Sequence, residues 1–406
     1  MTLVVFVAPM FSPAASQMIE AAVSLPGIRV AVVAQEALEQ LRQDLRERLV
    51  GHWKIDDITN VDQLDWAARS LADRLGPIAR CFGAFEQLQV PLALVRERLG
   101  ILGMSSSAAH NFRDKSRMKD VLRAAGVPVA RHQLVGTRAD ADAFVADVGF
   151  PVVVKPPAGA GARATHRISS AVELSRFLAQ HPPAAFDPML FEEFLQGSEH
   201  SLETISINGK AVWHSVTNYS PTPLTVVENP WIQWGIVLPR EVDAPMYDDI
   251  KEIGTRALVA LGMDTGVSHC EWFRRPDGSV AISEIAARPP GAQITTMISR
   301  ANDVAFVTAW VRLMVHGTFE VPTRKYAIGT AYLRGQGRGR VSVVQGLEAV
   351  QAECGALICD TQLPTRGQLP TGSYEGEGFI MVRHPETHVV ERAVQHIVST
   401  VRVLLA

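Results

Sequence analysis

HCEWFRRPDGSVAISEIAARPPG, residues 269–291, sets two glutamates, Glu271 and Glu284, on either side of a turn. Pro276-Asp277-Gly278 marks that turn, because proline presets φ and an Asp-Gly pair tolerates a tight corner. Glu271-Trp272-Phe273 and Val280-Ala281-Ile282 read as short strands, so the stretch is expected to form a β-hairpin. With Arg275 paired to Val280 across the turn, Glu271 faces Glu284 on one side of the ladder. Like charges placed opposite each other weaken a sheet. The hairpin therefore needs a reason for both.

Facing carboxylates can be a general acid and base, a defect offset elsewhere, or a site for a hard cation. A sugar-cleaving pair would need the stacking aromatics of a glycan cleft, and these are sparse here. A cation turns the repulsion into the purpose: Mg²⁺ takes one or two carboxylates and completes its octahedron with phosphate oxygens and water. A solvated acidic face is the plain alternative.

The 406-residue chain around the hairpin is 47% hydrophobic and 20% charged, which suits about two to four soluble domains with apolar cores. A formal charge of −3 gives no reason to expect a nucleic acid or an anionic membrane as partner. Cys81, Cys270, Cys354 and Cys359 are scattered and form no CxxC pair, pointing to a reducing, cytoplasmic setting without structural zinc. LVVFVAP at the start has no basic flank and reads as a buried strand, and no apolar run approaches the ~20 residues of a membrane span.

A βαβ rhythm opens the chain, with strands at 3–9 and 29–33 around a helix at 15–24. GIRVAVVAQ and GILGM read as further parallel strands, with VDQLDWAARSLADRLG as an amphipathic helix between them. The first strand is not followed by GxGxxG, which disfavours a dinucleotide site. NFRDKSRMKDVLRAAGVPVA begins a second unit, its helix carrying Met118, Val121 and Leu122 on one face and ending at Gly126. FPVVVKPPAGAGARATHRI is an apolar strand running into a loop of small residues. MLFEEFL, SLETISING and AVWHSVTNYS read as strands, the last two joined at Asn208-Gly209. NYSPTPLTVVENPWIQWG reads as irregular, and MYDDIKEIGTRALVALGM as a helix leading to the hairpin. Beyond about residue 321, YAIGTAYLRG, GRVSVVQG and GFIMVRH are expected strands, and THVVERAVQHIVSTVRVLL a closing helix.

Lys155 closes the strand PVVVK and is followed by Gly159 and Gly161. A lysine at a strand end beside bare backbone N–H groups suits a polyphosphate, although GxxxxGK[ST] is absent and a surface lysine is the ordinary alternative. Lys115, opening a helix after Asp114, could add a second phosphate contact. FEEFLQGSE has the form of a strand turning into a linker whose backbone could bind an adenine edge; an edge strand with exposed acids would look the same.

The order Asp114-Lys115, Lys155 with its loop, Glu192-Glu193-Phe194-Leu195, Glu199, Glu271, Glu284 and Arg288 resembles the ATP-grasp superfamily over nearly the whole chain. The resemblance implies an α/β fold, α+β in the ATP-grasp part. It divides into an N-terminal α/β pre-ATP-grasp domain over 1–110, a two-lobed ATP-grasp domain over 111–320 and a small C-terminal α+β lobe over 321–406, laid out as in biotin carboxylases. It implies ATP as ligand, with Lys115 and Lys155 on its phosphates, Glu192 to Leu195 on adenine and Glu199 on ribose. Glu271 and Glu284 would carry Mg²⁺, or Mn²⁺ in its place, and Arg288 would hold the transferred phosphate and acyl oxygens. Lys155 and Arg288 are then the expected catalytic residues, under a lid at 158–164.

Most of the superfamily has Asn two residues after the second glutamate, where this chain has Ala286. EIAAR there, and SHCE with His269 before the metal glutamate, resemble the L-amino-acid ligases. That implies an ATP-dependent carboxylate–amine ligase working through an acyl phosphate on small acids and amines, amino acids foremost, and is compatible with a homodimer. Alternatives are a purine-pathway or carboxylating enzyme, or a nucleotide-binding protein without catalysis. His269, Trp231, Trp234 and Ala292 are the expected substrate contacts; the alternative is a hydrogen-bonded structural role for His269 and packing for the two tryptophans.

Overall fold

The computed structural model describes residues 1–159 and 164–406, so Gly161 lies outside the described residues. Its first sheet is parallel, in the order Gly51–Lys54, Ile28–Ala34, Thr2–Ala8, Ile78–Phe82. Leu3 to Ala8 are buried without alternation, as expected of a strand covered by helices on both faces. Pro13–Val23 starts behind the Ser12 cap and Val61–Leu75 behind Asn60. GILGM is not a strand. Gly100 ends the helix Gln89–Leu99 in the left-handed conformation, and Arg96 then ties the following loop down through the Met104 carbonyl at 3.0 Å. The missing strand is Ile78–Phe82, whose half-buried Ala79 and Arg80 break the apolar pattern.

A second, antiparallel sheet runs His132–Val135, Met189–Glu193, Val152–Lys155, His166–Ile168. Its core of Val135, Phe144, Val154, Phe177 and Phe191 makes a small lobe. The third sheet has eight strands: Val280–Ala286, Gly266–Arg274, Ser198–Ile207, Lys210–Ser220, Trp234–Leu238, Ala327–Leu333, Gly378–His384 and Ile358–Gln362. It crosses the expected boundary at 320/321, since Trp234–Leu238 pairs directly with Ala327–Leu333 from Trp234↔Tyr332 to Leu238↔Ile328. Asn208 and Gly209, at φ 50° and 76°, make the tight turn inside this sheet.

Two further expectations change. The stretch 218–235 is not irregular: Pro223–Glu228 is a short helix capped by Thr222, and a strand starts at Trp234. The closing helix stops at Thr400, and Arg402–Leu405 joins a three-stranded sheet with Gly335–Gly337 and Val341–Gln345.

Candidate functional site

Glu271 and Glu284 are direct partners across the hairpin, but not by the expected turn. Arg274, rather than Arg275, pairs with Val280, and Arg275 instead closes the turn by donating its N–H to Ser279 O at 2.8 Å. A register shift between Glu271 and Trp272 takes up one residue, Ser283, and brings the glutamates back into opposition. The Ser283 carbonyl thus exposed accepts from the Lys119 ammonium.

The cations opposite come from the small lobe, which supplies Lys155, and from the helix Lys115–Ala124. Lys155, at the end of its strand, lies 2.9 Å from Glu192 Oε2, and Lys119, with no exposed surface, lies 3.2 Å from Glu192 Oε1. Burial works against the charge of Lys155, but Glu192, Glu284 and Glu271 outweigh it and hold its pKa above the ordinary lysine value. For Lys119 burial wins, and its pKa is lowered. Lys115 begins the helix Lys115–Ala124 behind the Asp114 cap; its Nζ lies 2.9 Å from Glu284 Oε1 and donates to Gly159 O at 2.9 Å. Burial resists ionisation of Glu284, yet Lys115 and Lys155 prevail and push its pKa down to about 2.

His269 is held at both ring nitrogens, Nδ1 at 2.9 Å from Glu203 Oε1 and Nε2 at 3.5 Å from Glu271 Oε1. Burial opposes its protonation, and the two carboxylates overcome it to raise the pKa to about 9. Its ring is thus held between two carboxylates at the place where it lines the cleft. Glu203 is fully buried and also accepts from Ser201 Oγ at 2.6 Å and Thr217 Oγ1 at 3.2 Å.

Arg288 lies two residues past the end of its strand. Its Nε and Nη2 donate to Glu86 Oε2 at 3.1 and 2.9 Å, and Glu86 Oε1 takes Arg113 at 3.1 Å. Glu86 belongs to the N-terminal domain, so that domain holds the arginine. Trp231 is 60% exposed and outside the cleft, which corrects its expected role. Trp234 reaches the cleft wall, but it is buried, stacked on Tyr332 at 4.5 Å and hydrogen-bonded to Tyr374 O, so it is a packing residue. Ala292 lines the cleft at φ 51°, its carbonyl accepting from Tyr332.

Together these residues surround one cleft of about 930 Å³ between the small lobe and the long sheet, reached by Thr371 to Glu375 from the last lobe. Lys115, Lys155, Gly159, Glu192 to Leu195, Glu199, His269, Glu271, Glu284, Arg288, Trp234 and Ala292 all line it. Of the linker's N–H groups, Glu193 already donates to Arg131 O and Phe194 to Pro151 O, so neither is free for a base edge. Burial, then Glu271, raise the pKa of Glu199 well above the ordinary value. Two carboxylates facing each other across a ladder, Glu271 and Glu284, fit a hard cation. Among the described residues no three His, Cys, Asp or Glu side chains converge as ligands, so the protein would offer two carboxylates and leave the remaining positions to phosphate and water.

Lys119, Glu203, Glu86 and Glu375 are the cleft-supporting or cleft-lining residues that the sequence reading missed. Two had a signal: Lys119 follows Lys115 by one helical turn, and Glu203 follows Glu199 by two strand alternations.

The sequence model of the ATP-grasp domain matches residues 120–302. The L-arginine-specific L-amino acid ligase of Bacillus subtilis is 24% identical over 278 residues, 66% of this chain and 66% of that one. The crystal structure of an L-amino acid ligase from Bacillus licheniformis superposes with a TM-score of 0.76 at 18% identity, over 100% of this chain and 99% of that one. N5-carboxyaminoimidazole ribonucleotide synthetase from Thermotoga maritima gives 0.71 at 16% identity, over 100% of both. At such identities the two structures share the fold.

Proposed function

This chain carries an ATP-grasp domain over residues 120–302, and on that premise we propose that it is an ATP-dependent ligase joining a small carboxylate to an amine. One observation carries the reading. Lys115, Lys155 and Arg288 each rest on a carboxylate, Glu284, Glu192 and Glu86, around a single cleft. Cations held this way are ready to exchange carboxylate for phosphate oxygens with little reorganisation.

The chemical difficulty is bringing a carboxylate up to a polyphosphate, both anionic. Lys115 and Lys155 would hold the phosphates, Glu199 the ribose, and the end of the linker near Leu195 the adenine. Glu271 and Glu284 fit Mg²⁺, which supplies charge neutralisation at the phosphates when bound. His269, pinned by Glu203, keeps Glu271 aimed into the cleft. In the first step a substrate carboxylate oxygen attacks the γ-phosphorus and the bond to ADP breaks. In the second, the amine nitrogen attacks the acyl carbon, phosphate leaves with the C–O bonding pair, and the nitrogen loses a proton. Arg288, which lines the same cleft, would neutralise the oxygens that gain charge in both steps.

Ala286 has no ligand atom where most of the superfamily has Asn. That favours the amino-acid ligase branch over biotin carboxylases. The test is ADP release from purified protein with Mg²⁺ and a matrix of amino-acid pairs, with products identified by mass. Release that needs both an acid and an amine supports the reading. Release with neither, or with an amino ribonucleotide and bicarbonate alone, overturns it.

A further inference from the structure

Two stretches that line the cleft have little structure of their own to hold them. Pro223–Glu228 is a helix of 6 residues, too short to be stable alone, and residues 371–375 are neither helix nor strand. Both are gripped from outside the cleft by two buried charged residues of the last lobe. Arg334, 6% exposed, donates from Nη1 to the carbonyls of Val226, Asn229 and Ile232 at 2.9, 3.1 and 3.2 Å. The Gln233 side chain brackets its backbone: Oε1 accepts the Arg334 N–H and Nε2 donates to the Arg334 carbonyl, both at 2.8 Å. Glu377, 5% exposed, accepts from the backbone N–H groups of Gly335 and, at 3.2 Å, of Thr371. Neither residue lines the cleft itself. A buried charge is unfavourable unless compensated, and here most of the compensation is main chain in or next to the two walls.

The walls meet at Trp234, whose indole N–H donates to Tyr374 O at 2.7 Å while its ring lies 6.4 Å from that of Tyr219. Tyr374 in turn borders the turn after Arg288, since a Cβ on Gly291 would come 3.4 Å from its hydroxyl oxygen. What the short helix turns to the cleft is apolar: Pro223, Leu224 and Val227, each half-buried. We propose that Arg334 and Glu377 are positioning residues, which set the two walls around a seat for an apolar group on one substrate. The inference rests on the ligase reading for the word substrate, but the seat itself is a binding claim. Without Arg334 the helix end is released, and Leu224 and Val227 no longer meet the ligand. Lys115 and Lys155, carried on other elements, keep their places for the nucleotide.

Leucine and asparagine, matched in shape, test it, with alanine as the short control. Binding is measured by calorimetry with a non-hydrolysable ATP analogue and Mg²⁺ present, and turnover by amine-dependent ADP release. Wild type should favour leucine over both others by ~10-fold or more, the range for apolar groups filling a pocket. Leu224→Asn, a change on the half-buried wall, should bring the leucine-to-asparagine ratio toward one. Arg334→Met should do the same while affinity for the ATP analogue stays within a small factor of wild type. Arg334→Lys should recover part of the ratio, because an ammonium still donates to carbonyls without the guanidinium's spread. Glu377→Gln, which keeps one acceptor oxygen, should lose less than Arg334→Met. An unchanged ratio in Arg334→Met or Leu224→Asn overturns the proposal, as does a wild type that binds leucine no better than asparagine. Equal losses of nucleotide and leucine affinity in Arg334→Met overturn it too. Where Arg334→Met does not fold, Arg334→Lys decides by the same ratio. Leucine-selective binding without ADP release from any pair would keep the seat and sink the ligase reading instead.

Discussion

Arg288 is the residue on which chemistry and architecture meet. Its contact should strengthen as charge gathers on the transferring group, so removing it should affect rate more than nucleotide affinity. Arg288→Ala is expected to bind ATP within a small factor of wild type while amide-forming kcat falls ~10²-fold. Arg288→Lys should recover only part, because a point charge cannot reproduce a two-pronged guanidinium. Fold stability should change little, since Glu86 keeps Arg113. Equal losses of ATP affinity and rate would return Arg288 to an ordinary phosphate ligand. The arginine itself was legible from its spacing after Glu284. Glu86, which orients it, was not, because FGAFEQLQ carries no pattern and its contact spans some two hundred positions. The same blindness hid Glu203: burial is what makes a charged side chain informative, and sequence does not show burial.

Among elements, the hairpin repays attention because two mistakes in reading it cancelled. The turn is one residue different from the Arg275–Val280 pairing, and the bulge at Ser283 restores the facing glutamates. A bulge has no sequence code, so register was legible only at its outcome. Lys119 sustains that irregularity, spanning Ser283 O and Glu192 without any exposed surface. Lys119→Met should therefore destabilise the protein by about 3–5 kcal/mol, the scale for breaking a buried pair. Lys155→Ala, whose side chain is 11% exposed, should lower the melting temperature less while weakening ATP binding more. The reverse order in thermal melts would assign the structural duty to Lys155. The strand Lys210–Ser220 offers a pH test away from the cleft. Burial, with Lys251 adding to it, lowers the His214 pKa from 6.5 to about 4. The folded state thus prefers the neutral ring, and its contribution is complete above pH 6.5 and lost progressively as pH falls toward 4. Melting curves across that window should be flatter for His214→Gln than for wild type; parallel curves would contradict the shift.

At the scale of the molecule, the sequence suggests three successive parts, and the long sheet runs across the expected seam at 320/321. Hydrophobic runs announce strands one at a time and say nothing of which strand lies beside which. A chain ended at residue 320 would leave Trp234–Leu238 as a bare edge, with Trp234, Ile236 and Leu238 losing the neighbours that bury them. Such a fragment should aggregate on expression, read out by size-exclusion of the soluble fraction; a monodisperse folded fragment would show the seam to be separable. The shared ladder also bears on how such a protein can change. The last lobe cannot be traded between relatives as a cassette, because any cut at the seam hands each partner half of a backbone ladder. What the last lobe lends to the cleft, Thr371 to Glu375, is carried on a frame it shares with the rest of the sheet.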